Sequence, residues 1–353
     1  MLSKSLALGR RLTKISSSVK SISSITFKTV DGKPRDALTI HNVDFVIDPD
    51  EKMVDEYMKV YGNQRFNFKR NDIDIWRKSF KDSYSLWLVC LKGTNKIVQM
   101  SHVLNFPPLL SHNDILHQYH GFFWVDPDYR GKDSMAIMDY IEKHRARNQS
   151  DNDAGTFLTT AVTMWTKMHG HADYKHIMYV SYYKPDEMQI PEDLNLDGIF
   201  LKNATEVPDM DIVKYDNTVF PYERSKYMLN LLRDPEGFGK VAYDNNGKVI
   251  GFGNVIIYPS GECVLTPLYA DDSKVAQAIF KSILKEIPLN DKKLLRFQIR
   301  SIDQCEGGFE WIQPFVKNPI RKEIMGHMAG SSHPPTVNYK KTYANTPYTT
   351  CVI

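Results

Sequence analysis

The sequence predicts an α/β (α+β) protein with two similar halves, each a mixed, mostly antiparallel twisted sheet flanked by helices. Apolar runs of strand length alternate with segments whose apolar residues recur at helical spacing. The order strand, helix, helix, hairpin, strand, helix, strand occurs in residues 40–185 and again, more weakly, in residues 209–330. A chain of 353 residues is also longer than one compact core usually holds, so two domains are expected.

The first predicted domain, residues 40–185, begins with a strand rich in β-branched residues and ends with an aromatic strand. Two helices precede a hairpin whose turn is formed by residues 92–95. The predicted strands are 43–47, 85–91, 96–104, 122–125 and 177–183, and the predicted helices are 51–61, 72–80, a segment opening at about residue 134, and 156–168.

The second predicted domain, residues 209–330, follows a linker at 186–208 that is rich in proline and acidic residues. Its firmest signal is Asn246-Gly247 between two apolar runs, which predicts a hairpin. The C-terminal tail, 331–353, is either an added edge strand or a flexible end. The predicted strands are 198–201, 211–215, 239–243, 248–257, 262–267 and 294–300, and the predicted helices are 222–232 and 272–284.

The stretch from His120 to Asn148 holds the most specific pattern of the chain. An aromatic, apolar strand ends at Asp126-Pro127-Asp128, a basic turn follows, and a helix starts directly after it. The first amides of a helix lack internal partners and carry partial positive charge, so such a junction can hold a phosphate or pyrophosphate. Arg130 and Lys132 would add positive charge there.

This stretch resembles motif A of the GNAT superfamily of acyl-CoA-dependent N-acetyltransferases. The residues that match its "V-x-P-x-Y-R-G" pattern are Val125, Pro127, Tyr129, Arg130 and Gly131. The resemblance implies that acetyl-CoA is a co-substrate and that the pyrophosphate of coenzyme A lies at this turn. The cofactor-binding residues that it implies are Val125, Arg130, Gly131, Lys132, Asp133, Ser134 and Met135.

The motif departs from the family where the family has its two small residues. Asp133 brings a carboxylate towards a polyanion, and Met135 adds bulk where small residues let amides approach the pyrophosphate. Two alternatives to an active enzyme therefore stay open. The junction is a surface turn without a ligand, or the chain is a non-catalytic GNAT-fold binding protein that has lost coenzyme A binding in one or both domains.

The second domain is similar to the C-terminal domain of tandem, YitH-like acetyltransferases. The matching residues are Asp216, Phe220, Arg224 and Ser225, then 251–253, 266–273, 275–276, 325–326 and 328. In that type the phosphate turn is a "G-P-x-x-A" stretch, and Thr266 replaces its glycine here. Asp216 and Arg224 are either a functional pair of this family or a salt bridge at a helix end.

Acyl transfer to an amine requires a general base, a polarised thioester carbonyl and a proton for the leaving thiolate. GNAT domains usually place the base on or beside the strand before the phosphate turn. The resemblance therefore implies His120 as the catalytic base of the first domain, where an imidazole titrates near neutral pH, and Glu262 in the second. We expect the acceptor to be the amine of a small metabolite.

The composition of the chain argues against several other kinds of protein. Residues 1–30 contain six basic and no acidic residues, so removing them from 45 basic and 42 acidic residues leaves 39 against 42. The remaining chain lacks the basic excess of a non-specific nucleic-acid binder, so no nucleic acid is expected as a partner. No apolar run has the length of a membrane span. Four scattered cysteines and the lack of a His-Glu-x-x-His motif predict neither a disulfide framework nor a metal site.

The leader, residues 1–30, has the composition of a mitochondrial transit peptide. It is rich in serine, and Leu2, Leu6, Leu8 and Leu12 give its first part an apolar face beside the basic residues. We therefore expect a mitochondrial matrix protein. The alternative is a disordered basic tail on a cytoplasmic protein.

Overall fold

The computed structural model describes residues 26–61, 69–110, 116–144, 153–158, 172–303, 305, 308–330 and 336–346. The chain divides into two compact units, each of which is described separately below. Unit 1 contains the described residues of 26–44, 89–99 and 125–144. Unit 2 contains the described residues of 45–88, 100–124 and 153–346.

The helices and strands are numbered in chain order among the described residues. The helices are α1 Glu51–Tyr61, α2 Arg70–Phe80, α3 Lys132–His144, α4 Asp209–Val219, α5 Ser225–Leu232 and α6 Ser273–Glu286. The strands are β1 Phe27–Lys28, β2 Pro34–Arg35, β3 Val43–Ile47, β4 Tyr84–Leu91, β5 Ile97–Phe106, β6 His117–Val125, β7 Asp153–Leu158, β8 Ala172–Tyr183, β9 Phe200–Asn203, β10 Lys240–Tyr243, β11 Val249–Ile257, β12 Glu262–Ala270, β13 Arg296–Ile302, β14 Glu323–Gly330 and β15 Thr342–Ala344.

Unit 1 is built around a small apolar cluster. The antiparallel pair β1–β2 also belongs to this unit and places Phe27 opposite Arg35. The buried residues of the apolar cluster come from the segment after β2, from strands and from α3, whose Ile137 is buried. The members of this cluster are Leu38, Val43, Val89, Val98 and Ile137, with Leu91, Tyr129 and Ile141 packed against them.

Unit 2 contains residues of every strand of a sheet in the order β3-β4-β5-β6-β7-β14-β8-β13-β12-β11-β10-β9, with β15 paired to β12 off this path. The described chain contains the same element order twice, from β3 to β8 and from β9 to β14, and we call these the first and second halves. The last strand of each half lies inside the other half: β14 pairs with β7, and β8 pairs with β13. The GNAT-like order of strands and helices predicted from the sequence is thus present in a single continuous sheet.

Among the residues that the structure describes, most strand pairs are antiparallel, and two parallel pairs lie at equivalent places of the halves. β6 runs parallel to β7 at Gln118–Asp153 and Tyr119–Ala154. β12 runs parallel to β13 from Glu262–Arg296 to Leu265–Ile299. In each half the first strand of the parallel pair is followed by a helix, α3 or α6. These two strand–helix junctions are the places where the sequence predicts a phosphate turn.

The core of the second half lies between the sheet and α6. Helix α6 buries apolar side chains along one face, and Gly251 and Gly253 let it approach the sheet, since a Cβ on Gly253 would lie 3.1 Å from Ile279. The N-terminus of α6 is capped by Asp272, whose carboxylate accepts a hydrogen bond of 2.8 Å from the Val275 amide. The helix therefore starts at a fixed place after β12.

The structure corrects two predicted elements. Residues 211–215 form part of helix α4 and not a strand, because Ile212, Tyr215 and Val219 are buried together at helical spacing. Residues 156–158, predicted to open a helix, belong to β7, where they pair with β14. The rest of that predicted helix lies outside the described residues. Strand β14 was not predicted.

Most of the other predicted elements are confirmed, and helix α1 and strand β3 have the predicted bounds. The tail contributes β15 to the sheet. No helix of the described ranges is long and apolar enough to cross a membrane.

Candidate functional site: the strand–helix turn of the first half

The turn before α3 is held by short-range hydrogen bonds within unit 1. Asp126 accepts from the Asp128 amide at 2.9 Å, and Arg130 donates from Nε to the Val125 carbonyl at 3.1 Å. The Ser134 hydroxyl accepts from the Gly131 amide at 3.2 Å and donates to the Gly131 carbonyl at 2.8 Å. The predicted cofactor-binding stretch is therefore a fixed turn at the first residues of a helix of 13 residues.

Asp133 is neutralised by the segment that contains β2. Arg35 donates from Nη1 to Oδ2 at 2.6 Å and from Nη2 to Oδ1 at 3.2 Å. The Leu38 amide donates to the same Oδ2 at 2.8 Å. The side chains of Arg35 and Asp133 are only 6% and 3% exposed, so this is a buried, bidentate ion pair. The negative charge of Asp133, which in the sequence opposes a pyrophosphate, is thus balanced by Arg35.

Arg35 is itself fixed between two aromatic rings. Its guanidinium carbon lies 5.0 Å from the ring centre of Phe27 and 5.0 Å from that of Tyr129. Its Nη1 also donates to the Asp36 carbonyl at 2.9 Å. Among the described residues, Nε has no hydrogen-bond partner. Tyr129, a residue of the family motif, therefore helps to hold the cation that neutralises Asp133.

The remaining predicted cofactor residues separate into buried and exposed ones. Met135 is 7% exposed, so its bulk lies in the interior and does not obstruct the turn. Gly131 is needed as a glycine, because a Cβ there would lie 2.9 Å from the Asp133 Oδ1. Arg130 and Lys132 are exposed and make no ion pair with any residue that the structure describes. The turn therefore presents free cations beside helix amides, which is a suitable environment for a pyrophosphate.

The structure describes the side-chain environment of Glu262 but not that of His120. His120 belongs to β6, and its side chain lies outside what the structure describes. Glu262 is the first residue of β12, whereas α6 starts beyond the far end of this strand. The Glu262 carboxylate accepts from Arg296 Nε at 2.6 Å and pairs with its Nη2. Both assignments stay predictions; the ion pair gives Glu262 a structural role.

The strand–helix turn of the second half is occupied by polar groups of the chain itself. The Asp271 Oδ1 accepts from Lys341 Nζ at 2.7 Å and from the Tyr215 hydroxyl at 3.0 Å. The hydroxyls of Ser273 and Tyr343 lie 3.4 Å apart. Thr266, which replaces the family glycine, is fully buried.

Asp216 and Arg224 form a buried ion pair in the second half. Arg224 donates from Nε to Oδ2 at 3.0 Å and from Nη2 to Oδ1 at 2.7 Å. The guanidinium also lies 3.9 Å from the ring centre of Phe220 and donates to the Tyr269 hydroxyl at 3.3 Å. Four of the residues that carry the resemblance to tandem acetyltransferases, Asp216, Phe220, Arg224 and Tyr269, are thus packed together in the interior.

Sequence reasoning missed a buried histidine in unit 2. His102 is fully buried in β5, with Nε2 2.7 Å from the Tyr57 hydroxyl and Nδ1 2.9 Å from the Tyr84 hydroxyl. The ring of Trp76 packs edge-on against it at 5.3 Å. Burial lowers the pKa of His102 from 6.5 to about 3. The signal in the sequence is weak, because the strand that contains His102 also holds Gln99, Ser101 and Asn105.

The described residues contain no group of three or more His, Cys, Asp or Glu side chains that could hold a metal ion. Cys90, Cys263 and Cys305 are buried free thiols. Burial raises the pKa of each of the three.

Comparison with known families gives two matches along the chain. The model of the family described as "Protein of unknown function (DUF1248)" matches residues 40–219, which is just over half of the chain. The model described as "Acetyltransferase (GNAT) domain" matches residues 212–301. No curated protein matches the chain in sequence.

Solved structures share the fold at low identity. A Pyrococcus horikoshii protein described as an acetyltransferase is 16% identical, with a TM-score of 0.59, and the match covers 89% of this chain and 98% of that one. A tandem GNAT protein from the clavulanic acid biosynthesis pathway is 10% identical, with a TM-score of 0.56, over 82% of this chain and 99% of that one. N-myristoyltransferase of Saccharomyces cerevisiae is 12% identical, with a TM-score of 0.53, over 88% and 86%.

Proposed function

Because the chain belongs to the family of unknown function DUF1248 and is a GNAT-superfamily protein with the tandem fold, we propose that it is an acyl-CoA-dependent N-acyltransferase. Acetyl-CoA is the proposed acyl donor, and the amine of a small metabolite is the proposed acceptor. The proposed cofactor site is the turn of the first half, residues 130–135.

The observation that carries this proposal is the charge at that turn. Within residues 130–135, Arg130 and Lys132 are exposed cations, and the one carboxylate, Asp133, is paired with Arg35 in the interior. The two acidic residues before this stretch, Asp126 and Asp128, accept hydrogen bonds from the backbone amides of Asp128 and Val30. A helix N-terminus with two free cations favours a pyrophosphate ligand.

In the proposed complex, the first amides of α3 and the side chains of Arg130 and Lys132 hold the pyrophosphate. Ser134 keeps its hydroxyl on Gly131 and so preserves the shape of the turn. His120, in the strand before the turn, is the proposed base that accepts a proton from the acceptor amine, since a neutral imidazole is available near pH 7.

The test is a calorimetric titration of the full chain with acetyl-CoA and with desulfo-CoA. The double variant Arg130→Ala/Lys132→Ala removes two charge-assisted contacts. Each contact contributes roughly 1.5–3 kcal/mol, so the double variant should weaken binding at least about 100-fold.

Lys285→Ala is the matched control, because Lys285 is an exposed lysine in the last turn of α6 and is expected to leave binding unchanged. Equal affinities for wild type and double variant would contradict the proposed site. The His120→Ala variant should bind acetyl-CoA like wild type and lose acyl transfer to amines.

A second candidate function is a GNAT-fold binding protein without catalysis. The observation that favours it is the carboxylate that each turn places at the start of its helix: Asp133 in the first turn of α3 and Asp272 as the cap of α6. A helix N-terminus that already has an internal anion attracts a pyrophosphate less strongly. No binding of acetyl-CoA at millimolar ligand would favour this function, a fold that has lost coenzyme A binding, over the enzyme.

We also propose that residues 1–30 direct the protein into mitochondria, on the basis of their basic, serine-rich composition. N-terminal sequencing of protein isolated from its native cells should then give a mature end near residues 20–35. An intact Met1 would contradict import with cleavage.

A further inference from the structure

A cleft in unit 2 lies between helix α2, helix α5 and the end of strand β11. Its apolar and aromatic walls include Trp76 of α2, Tyr227 of α5 and Ile256 of β11. Four polar residues also line it: Asp72 of α2, Asn230 of α5, Asp234 just after α5 and Tyr258 just after β11. The cleft encloses about 330 Å³, including the space that opens to solvent, and its interior has room for about one water-sized group.

Tyr258 lines this cleft with a buried side chain that is only 5% exposed. Its backbone amide donates to the Glu262 carbonyl at 2.9 Å, and the Lys69 ammonium lies 5.6 Å from the centre of its ring. The hydroxyl itself makes no hydrogen bond with any residue that the structure describes. Because buried polar groups in native proteins are nearly always paired, this hydroxyl indicates a ligand in the cleft.

The Asp72 carboxylate uses one of its two oxygens. Oδ2 accepts from the Lys69 backbone amide at 2.6 Å, and Oδ1 accepts from no residue in the described ranges. The Lys69 ammonium pairs instead with Asp234, at 3.0 Å, and with Glu236. Burial outweighs the nearby positive charge of Lys69 and raises the pKa of Asp72 to about 6. Three carboxylates thus share one ammonium group, and the cleft carries a net negative charge.

Asn230 adds a further acceptor. Its Nδ2 donates to the Ser79 Oγ at 3.1 Å, so Oδ1 is the atom that it can offer to a ligand. Burial and the carboxylate of Asp72 raise the pKa of Tyr258, an effect of charge that requires these two groups to lie near each other. An alkylammonium group has three N–H donors and a positive charge, which match these acceptors and the excess of carboxylates.

We propose that this cleft binds the ammonium group of a small primary alkylamine, held by Asp72, Asn230 and Tyr258. The interior has the size of one ammonium group, and the aromatic walls suit a cation and its short alkyl chain. A neutral ligand of the same shape leaves the negative charge unbalanced, and an anion is repelled. The site goes beyond the proposed acyl transfer, because it requires neither acyl-CoA nor the turn at residues 130–135.

The test is an NMR titration of the full chain, isotope-labelled at its tryptophan indoles, in the absence of acyl-CoA. The indole signal of Trp76, assigned with the Trp76→Phe variant, reports on the cleft. Propylammonium chloride replaces sodium chloride at constant ionic strength, so that a general effect of salt cancels. The Trp76 signal should shift in a saturable manner. The uncharged analogue n-propanol should bind at least about 10-fold more weakly.

Two variants and a matched control locate the site. Asp72→Asn removes the charge, keeps the shape, and should weaken propylammonium binding at least about 10-fold. Tyr258→Phe removes only the hydroxyl and should weaken binding about 2- to 10-fold. The control is Asp74→Asn, because Asp74 lies on the same helix but pairs with Arg70 at 3.3 Å outside the cleft. It should leave the affinity unchanged, and circular dichroism checks that all three proteins are folded.

The proposal is supported by a saturable shift of Trp76 that both cleft variants weaken and the control does not. It is overturned if propylammonium gives no saturable shift at high millimolar concentration, or if n-propanol binds equally well. Unchanged affinity in Asp72→Asn or in Tyr258→Phe also overturns it, and so does an equal loss in Asp74→Asn. None of these results depends on acyl-CoA, so the proposed function stands or falls by its own titration.

Discussion

Lowering the pH should destabilise unit 2 through His102. The neutral imidazole lies between the hydroxyls of Tyr57 and Tyr84, with Trp76 against its face, and burial lowers its pKa to about 3. In the unfolded chain the same group has its ordinary pKa of 6.5. Below pH 6.5 the unfolded state therefore binds a proton that the folded state does not, and stability is lost as pH falls from 6.5 towards 3.

The magnitude follows from the two pKa values. Each pH unit between them is worth about 1.4 kcal/mol, so the free energy of unfolding should fall by about 2 kcal/mol between pH 7 and pH 5 on account of this residue. His102→Gln keeps a neutral donor and acceptor between the two tyrosines but cannot titrate. The variant should therefore lack this part of the pH dependence.

Urea unfolding of wild type and His102→Gln at pH 7, 6 and 5 measures the effect. The expected result is that the stability difference between the two proteins shifts by about 2 kcal/mol in favour of the variant from pH 7 to pH 5. Comparing the two proteins at each pH removes the contributions of all other titrating groups. A difference that stays constant over this range would refute a buried, neutral His102.

Three further predictions concern the ion pairs, acids and thiols of unit 2. Arg224→Met should lower the free energy of unfolding by roughly 3–5 kcal/mol in urea denaturation, because it leaves the Asp216 carboxylate buried and unpaired. The control is Arg321→Met, which removes an exposed ion pair and should lower the free energy of unfolding by at most about 1 kcal/mol. Burial raises the pKa of Asp72 to about 6, so between pH 4 and pH 6 the folded state binds a proton that the unfolded state has lost. The free energy of unfolding of wild type therefore falls as pH rises through this range. From pH 4 to pH 7, the free energy of unfolding of Asp72→Asn should rise by about 3 kcal/mol relative to that of wild type. Burial raises the pKa of Cys263 to about 12, so iodoacetamide at pH 8 should label it only in denaturant, as mass spectrometry would show.

The repeated element order was predictable because each element has its own local pattern. Helix α1 carries apolar residues at helical spacing, and the Asn246-Gly247 turn fixes the β10–β11 hairpin. The exchange of β8 and β14 between the halves was not predictable, because it joins strands that are far apart in the chain and local periodicity carries no information on such pairing. Residues 211–215 were predicted as a strand, because a few apolar residues fit both the strand and the helix spacing. In the structure Tyr215 and Val219 are buried on one face of helix α4.

The position of the candidate site in the chain was predictable from the sequence, but the pairing of its charged residues was not. The sequence places Arg130 and Lys132 at the start of a helix, and the structure has them exposed there. It also places Asp133 against a pyrophosphate, and only the fold brings Arg35, 98 residues earlier in the chain, onto that carboxylate. No periodicity or spacing links two residues so far apart. The departure of Asp133 from the family pattern is therefore compensated by a contact that sequence reasoning could not see.

The two strand–helix turns are completed by segments that lie outside the repeated pattern. Strands β1 and β2 precede the first half, and β15 follows the second. Each added segment supplies one cation to an aspartate of the turn in its own unit, Arg35 to Asp133 and Lys341 to Asp271.

The two turns differ in what remains available to a ligand. In the first turn, Arg130 and Lys132 stay exposed after Asp133 is paired. In the second, β15 covers the edge of β12, and the cation that the tail supplies is already paired with Asp271. This difference between the two turns supports the proposed acyl-CoA site in the first half.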